Sequence, residues 1–176
     1  MKILILNGSP RKNGNTKALL ERIATGAKGH EVEWVDVARL RVGGCLGCDA
    51  CRKNGGNCVQ QDDFPALLKK IQAADCVLFG TPVYFWGMSA QLKLCIDRLY
   101  AGGEGILHKK VGLVTVGADV LSGPQYRLIN EQFACIAEHL SWEILFQEAV
   151  SASAAGEVLE QTELLAKMEA LGGQLS

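Results

Sequence analysis

The chain has 176 residues, of which 48% are hydrophobic and 21% charged, which suits one domain with its own core. These proportions exclude disordered, collagen-like and small disulfide-stapled proteins. Because 18 Lys and Arg face 19 Asp and Glu, the net charge of −1 gives no general attraction to nucleic acid or an acidic membrane. The N-terminal apolar run is too short for a secretory signal, and no run reaches the length of a membrane span, so we expect a cytoplasmic protein.

Short apolar runs rich in β-branched residues alternate with segments whose apolar residues recur at helical spacing. The runs predict five strands, at 2–7, 31–37, 75–80, 110–117 and 142–150. The helical patterns lie at 15–28, 63–73 and 88–100, then around 129–140 and 158–168. This alternation favours a parallel sheet between two helical layers, and five strands favour a three-layer α/β/α flavodoxin-like fold with strand order 2-1-3-4-5. We therefore expect a single domain over residues 1–176, with a cysteine-rich insertion loop at about 38–62.

The loop after the first strand, residues 7–16, reads NGSPRKNGNT and leads into a predicted helix. A helix N-terminus presents unpaired backbone N–H groups and a partial positive charge, so it can bind a phosphate without a metal. Neither the nucleoside triphosphatase motif nor the dinucleotide motif GxGxxG occurs in this loop. A polar cap with a turn is the alternative, but the position directly after strand 1 favours a phosphate site.

The loop after the third strand, residues 81–91, reads TPVYFWGMSAQ and carries three consecutive aromatic residues. Core packing explains aromatic side chains in a loop poorly, whereas a flat heteroaromatic ring needs an apolar wall. Gly87 would permit close approach of the backbone, and Ser89 would start a helix. Packing against a neighbouring subunit is the alternative, and the two roles are compatible.

The segment 43–58 reads GGCLGCDACRKNGGNC and holds four cysteines, Cys45, Cys48, Cys51 and Cys58. In a reducing compartment such a cluster indicates metal or redox chemistry before a disulfide framework. Structural zinc sites usually use two separated CxxC pairs, whereas CxxCxxC spacing is typical of iron–sulfur binding. Since the loop follows strand 2, we expect it at the same edge of the sheet as the other two loops.

The motifs GSPRKNGNT and TPVYFWGMSAQLKLCIDR together resemble the flavodoxin-like NAD(P)H-dependent FMN reductase family over most of the chain. The resemblance implies FMN as cofactor. Its phosphate would be held by Ser9, Arg11, Asn13, Asn15 and Thr16. Its isoalloxazine ring would lie against Pro82, Val83, Tyr84, Phe85, Trp86 and Gly87, with backbone near Gly117 completing the far side.

The cysteine spacing also resembles one branch of that family, the iron–sulfur flavoproteins of anaerobic prokaryotes, which hold a [4Fe–4S] cluster. The resemblance implies that Cys45, Cys48, Cys51 and Cys58 are the cluster ligands. Other members of the family keep several of these cysteines without a known cluster. Free thiols or a disulfide, and zinc, therefore stay open beside the [4Fe–4S] cluster.

The remaining reactive residues receive structural interpretations. We expect Cys76, Cys95 and Cys135 to be small buried hydrophobic residues. Asp62 and Asp63 suit a helix start, while Asp97 and Arg98 suggest a solvated or intersubunit pair. We assign no catalytic side chain, because the histidines are scattered along the chain: His30, His108 and His139.

The leading hypothesis is an FMN-dependent oxidoreductase or electron-transfer flavoprotein in which a [4Fe–4S] cluster relays electrons to FMN. The alternative is an NAD(P)H-dependent FMN or quinone reductase without a cluster. An electron-transfer module without turnover is disfavoured, because such flavodoxins are usually strongly acidic. We expect ferredoxin or NAD(P)H as donor, a small-molecule acceptor, and a homodimer or homotetramer, with no nucleic acid or membrane partner.

Overall fold

A computed structural model describes residues 1–175, and its elements alternate as the sequence predicts. The strands are β1 Lys2–Asn7, β2 Glu31–Asp36, β3 Cys76–Tyr84, β4 Gly87–Met88, β5 Lys110–Gly117 and β6 Glu143–Ser151. The helices are α1 Asn15–Gly26, α2 Ala50–Lys53, α3 Phe64–Ala73, α4 Ala90–Asp97, α5 Pro124–His139 and α6 Thr162–Gly173. Short 3-10 helices occupy Val37–Arg39, Arg98–Ala101, Gly103–Ile106 and Glu157–Glu160.

Five parallel strands form the sheet in the order β2-β1-β3-β5-β6, and the two-residue β4 pairs antiparallel with the end of β3. Counted over the parallel strands alone, this is the predicted order 2-1-3-4-5, so the flavodoxin-like fold is confirmed. Neighbours β1 and β3 pair from Ile3 with Cys76 to Asn7 with Gly80. Their carboxyl ends therefore lie side by side, and the loops that follow them meet at the switch point of the sheet.

Helices cover both faces of the sheet and bury alternate residues of its strands. On β1, Leu4 and Leu6 pack toward α3, α4 and α5, whereas Ile3 and Ile5 pack toward α1 and α6. All four side chains are at most 1% exposed, as expected for a central strand covered on both sides. The sheet is therefore a rigid support for the loops at its carboxyl edge.

Three differences from the predicted elements concern the regions around the candidate sites. β3 continues to Tyr84 rather than ending at Gly80, because Thr81 pairs with Thr115 and Pro82 with Val116 on β5. The hairpin strand β4 and the one-turn helix α2 were not predicted. Most of the predicted aromatic loop is therefore strand and hairpin, which fixes its side chains more firmly than a loop would.

Two of the three cysteines interpreted as buried are buried, but Cys135 is exposed on α5, so that prediction was wrong. Cys135 lies next to the apolar stripe of the helix rather than on it, and only packing decides such a border position. Burial raises the pKa of Cys76 and of Cys95 to about 12, so both thiols are inert at neutral pH. No helix within residues 1–175 combines the length and apolar character that crossing a membrane requires.

Candidate functional site

The loop after β1 is tied to the end of β3 by short hydrogen bonds. The Gly8 N–H donates to the Gly80 carbonyl over 2.8 Å, and the buried Ser89 hydroxyl donates to the Gly8 carbonyl, also over 2.8 Å. A Cβ on Gly8 would lie 2.8 Å from the Gly80 carbonyl oxygen, so this approach requires glycine. Backbone contacts therefore set the path of the loop, whatever its side chains bind.

The same loop delivers the chain to an uncapped helix N-terminus. Ser9 accepts a hydrogen bond from the Arg11 N–H over 3.3 Å, which turns the chain toward Gly14. α1 then begins at Asn15 with no side chain capping it and no acidic residue in its first turn. Free backbone N–H groups and the positive end of the helix dipole therefore border a narrow cleft of about 90 Å³.

Most of the predicted phosphate and ring residues line this one cleft: Ser9, Arg11, Asn15, Thr16, Pro82, Val83, Tyr84 and Gly117. Asn13 is exposed and lies outside it. The Asn15 side chain donates to the Ala154 carbonyl over 2.8 Å and accepts from the Val158 N–H over 3.4 Å. Asn15 therefore fastens the start of α1 to the chain after β6, which leaves its backbone rather than its side chain for a ligand.

Sequence reasoning missed the part of the cleft that follows the last strand. Ala152 and Ser153 line it, together with Val116 and Ala118 at the end of β5. The sequence did contain a signal for this part of the cleft. The predicted fifth strand must end at the same edge of a parallel sheet as the other strands, so the residues after it lie near the cleft.

The three aromatic residues form an exposed hairpin between β3 and β4. Phe85 and Trp86 occupy its two turn positions with φ of 45° and 62°, a left-handed conformation that usually selects Asn or Gly. Phe85 is 96% exposed and Trp86 58% exposed, with their rings in edge contact 6.4 Å apart. Each left-handed residue of this kind costs about 1–3 kcal/mol, and such strain concentrates at functional sites.

The hairpin borders a second, open cavity of about 300 Å³ beside the narrow cleft. Val83 and Ala118 line both cavities, while Phe85, Trp86, Asp119 and Gln125 line the open one; Gly87 lines neither. Gln125 is 4% exposed, and its Oε1 has no hydrogen-bond partner among residues 1–175. A cleft for an anion that opens onto an aromatic wall with an unsatisfied polar atom fits the phosphate and the flat ring of FMN.

The cysteine loop is closed at its neck by hydrogen bonds between its two ends. The Arg41 N–H donates to Asp63 over 2.7 Å, the Gly43 N–H to Asp62 over 2.9 Å, and the Gln60 amide to the Gly44 carbonyl over 3.0 Å. Beyond this neck the only regular element is the one-turn α2. Side-chain contacts, rather than a strand ladder or a long helix, therefore hold the loop.

All four cysteines of the loop line one small cavity with Arg98 and Tyr100. Cys45 and Cys48 are exposed, and Cys51 and Cys58 are partly buried. Within residues 1–175 no three His, Cys, Asp or Glu side chains converge closely enough to hold a metal ion. Four thiols around a common cavity with a cation behind them nevertheless match the donor set of a [4Fe–4S] cluster in kind and number.

Arg98 is buried and paired within the loop neck, so the prediction of a solvated or intersubunit pair with Asp97 was wrong. Its Nη1 donates to Asp62 over 2.8 Å, whereas Asp97 pairs with Lys93 on the surface. Burial acts to lower the pKa of Arg98, but Asp62, with Cys58, raises it. Burial likewise acts to raise the pKa of Asp62, but Arg98 and the N–H groups of Gly43 and Phe64 lower it. Both groups are therefore charged at neutral pH.

The cysteines lie farther from the narrow cleft at the start of α1 than their shared edge of the sheet suggested. Ser89 caps the N-terminus of α4 and donates to Gly8, in the loop that leads to the cleft, whereas Arg98 and Tyr100 follow the last turn of α4 at its other end. Eight helical residues span about 12 Å. The loop leaves β2 at the expected edge, but its cysteines pack near the far end of α4, and the two cavities share no lining residue.

The chain is similar to known proteins both in sequence and in fold. The family model described as NADPH-dependent FMN reductase matches residues 1–132. An iron–sulfur flavoprotein of Methanocaldococcus jannaschii is 40% identical over 129 residues, 71% of this chain and 66% of the relative. An iron–sulfur flavoprotein of Methanosarcina thermophila is 37% identical over 134 residues, 74% of this chain and 70% of the relative.

The matched part of the chain spans from about half to 70% of the length of such curated relatives. Among solved structures, a protein of Streptococcus mutans aligns with a TM-score of 0.79 at 18% identity, covering 99% of this chain and all of the other. That likeness concerns the fold alone. On the family match and the curated relatives, the chain belongs to the NADPH-dependent FMN reductase family, in its branch of iron–sulfur flavoproteins.

Proposed function

We propose that this chain is an FMN-dependent oxidoreductase whose cysteine loop holds a [4Fe–4S] cluster that relays electrons to FMN. The observation that carries the flavin part is the uncapped N-terminus of α1 beside a strained aromatic hairpin at the switch point of the sheet. One feature suits an anion and the other a flat ring, and FMN contains both.

In this proposal the chain's own groups bind and orient the cofactor. Backbone N–H groups of Asn15 and Thr16 bind the phosphate with the hydroxyl of Ser9 and the guanidinium of Arg11. Asn13 is exposed and outside the cleft, and in this proposal it adds a further donor from the same loop. Pro82 to Trp86 provide the wall for the ring, Gly87 supports that wall by pairing with Tyr84, and Gly117 lets the backbone approach the far side of the ring. Bound there, FMN would supply both hydride and single-electron chemistry.

The cluster proposal rests on the cysteine loop. One cavity is lined by Cys45, Cys48, Cys51 and Cys58. Relatives that are 37–40% identical to this chain are named iron–sulfur flavoproteins. Held by these four thiolates, a [4Fe–4S] cluster would supply single-electron transfer. A cytoplasmic setting suits this role, because free thiols persist where glutathione keeps them reduced.

The donor we propose is ferredoxin or NAD(P)H, and the acceptor is a small molecule reduced at the open cavity beside Phe85 and Trp86. These exposed aromatic residues also favour association of the chain into a homodimer or homotetramer, since a second copy would cover them.

Anaerobic purification followed by iron and flavin analysis of a single preparation tests the proposal. We expect about one FMN and about four irons per chain. The Cys48→Ser variant should lose most of its iron and keep its FMN, whereas the exposed Cys135→Ser control should keep both. FMN without iron would remove the cluster, and absence of FMN would remove the proposed function as a whole.

A second candidate, an NAD(P)H-dependent FMN or quinone reductase without a cluster, has one observation in its favour. No three potential ligands within residues 1–175 converge as a metal site requires. In that case NADPH would bleach the flavin equally fast in the wild type and in Cys48→Ser. A slower reaction of the variant with a one-electron donor, but not with NADPH, would favour the cluster.

A further inference from the structure

Arg98 places a full positive charge where water cannot reach it. The side chain is 1% exposed, although it follows the surface-facing Asp97 on the last turn of α4. Burial of an unpaired charge is very costly, so a buried arginine persists only where its environment compensates the charge.

The compensation comes from one carboxylate and one aromatic ring. Arg98 Nη1 lies 2.8 Å from one oxygen of Asp62, and Nη2 lies 3.3 Å from the other. The guanidinium also lies over the ring of Phe64, 4.7 Å from its centroid. This fork against a carboxylate is the geometry that arginine provides and lysine does not.

The same guanidinium reaches both ends of the cysteine loop. Nη1 also donates to the Gly43 carbonyl over 2.9 Å, and Nη2 donates to the sulfur of Cys58 over 3.2 Å. Asp62 is meanwhile held by the N–H groups of Gly43 and Phe64 over 2.9 Å and 3.1 Å. The carboxylate that orients the guanidinium is thus itself fixed, and a donor points at the sulfur in a defined direction.

We propose that Arg98 is a positioning residue of the cysteine site, which holds the Cys58 sulfur toward the cavity shared by the four cysteines and places a fixed positive charge behind it. The inference rests on the proposed role of the four cysteines as cluster ligands. A hydrogen bond and a positive charge at a ligand sulfur stabilise the more negative, reduced state of an iron–sulfur centre. Arg98 therefore raises the reduction potential as well as retaining the metal.

A purely structural role for Arg98 makes a different prediction. An arginine that only clamped the loop neck through Gly43 and Asp62 would affect loop mobility and iron retention. It would leave the potential of the remaining centres unchanged, because the charge would be irrelevant to the metal.

The test compares Arg98→Lys with Arg52→Lys and the wild type. Lysine at position 98 keeps a charge for Asp62, so the fold is retained, but it cannot reach carboxylate, carbonyl and sulfur together. Arg52 is the matched control, because it lies in the same loop over the Tyr100 ring with a 69% exposed side chain and pairs with Asp49 rather than with a cysteine. Arg98→Gln, which removes the charge, completes the series.

The measurements are made anaerobically on each intact chain. Iron loss to a chelator should be about 10- to 100-fold faster in Arg98→Lys than in the wild type or Arg52→Lys. The midpoint potential should become more negative in the order wild type, Arg98→Lys, Arg98→Gln. In chelated, iron-free protein, amide hydrogen exchange across residues 56–62 should be faster in Arg98→Lys than in Arg52→Lys.

Each outcome decides the inference. Faster amide hydrogen exchange with an unchanged midpoint potential would show that Arg98 only clamps the loop, which would overturn the inference. Identical behaviour of Arg98→Lys and Arg52→Lys would also overturn it. If the wild type itself held no iron, the cluster proposal would fail, and the exchange comparison would still decide whether Arg98 positions Cys58. If Arg98→Gln does not fold, the lysine pair alone carries the test.

Discussion

The two candidate sites of this protein are built in opposite ways. The candidate flavin cleft is formed where β1, β3, β5 and β6 end and by the first turn of α1, so regular hydrogen bonds fix much of its backbone. The cysteine loop has a single helical turn and is held at its neck by a few side-chain hydrogen bonds and one buried ion pair. A site on regular elements is preorganised, whereas a site on an irregular loop is only as ordered as its few side-chain ties.

The largest expected effect comes from breaking the neck of the cysteine loop. Asp62→Asn leaves the Arg98 charge buried without its partner, which should lower the free energy of unfolding by about 3–5 kcal/mol. Urea denaturation of the metal-free protein measures this change. The control Asp97→Asn removes an exposed pair with Lys93 and should cost no more than about 0.5 kcal/mol. Equal losses in the two variants would contradict the comparison.

A smaller effect is expected where the loop after β1 touches the backbone of β3 at Gly80. In Gly8→Ala the new Cβ meets the Gly80 carbonyl oxygen and the Leu92 Cβ, so overpacking should cost about 1–3 kcal/mol and weaken FMN binding at least tenfold. Gly44→Ala is the matched control in the cysteine loop, where the nearest atom would lie at an ordinary 3.5 Å. Denaturation and FMN titration of both variants would show whether only the flavin side is sensitive to one methyl group.

The aromatic hairpin should respond with a gain in stability and a loss of function. Replacing Phe85 and Trp86 by Asn-Gly relieves two left-handed aromatic residues but loses the contact between their rings, so it should stabilise the fold by about 1–2 kcal/mol net. FMN affinity should fall about fivefold, because the ring loses an aromatic contact worth about 1 kcal/mol. His108→Gly relieves a φ of 57° away from both sites, so it should stabilise the chain without changing FMN affinity.

The smallest expected effect is the loss of stability in acid that Asp62 contributes, because this loss begins well below neutral pH. The pKa of Asp62 is lower in the folded chain than its ordinary value of 3.8, so its stabilising contribution is complete well above that value. That contribution is lost as the pH falls below 3.8 toward the folded pKa. Stability measured from pH 6 to pH 3 should therefore decline more steeply in the wild type than in Asp62→Asn. Parallel profiles would show that Arg98 does not lower the Asp62 pKa.

The sequence-based predictions succeeded where a local pattern decides the structure and failed where contacts with distant parts of the chain decide it. The alternation of apolar runs predicted the strands, their order and the loops that meet at the switch point, because burial on both faces leaves a strong local pattern. The predicted length of β3 was wrong, since Thr81 and Pro82 are held in the strand by pairing with β5 rather than by their own strand propensity. The loop after β6 was overlooked although the same topology places it at the cleft.

Around the cysteines, the sequence by itself determined that four thiols lie within one loop and that this loop follows β2. Only the tertiary structure decided what holds them, because the carboxylate that allows Arg98 to be buried is 36 positions away along the chain. The side chain of Asn15, which bonds backbone groups 139 and 143 positions away, shows the same limit at the flavin cleft. Periodicity and spacing are local properties of a chain, whereas the compensation of a buried charge or polar group depends on whatever the fold brings beside it.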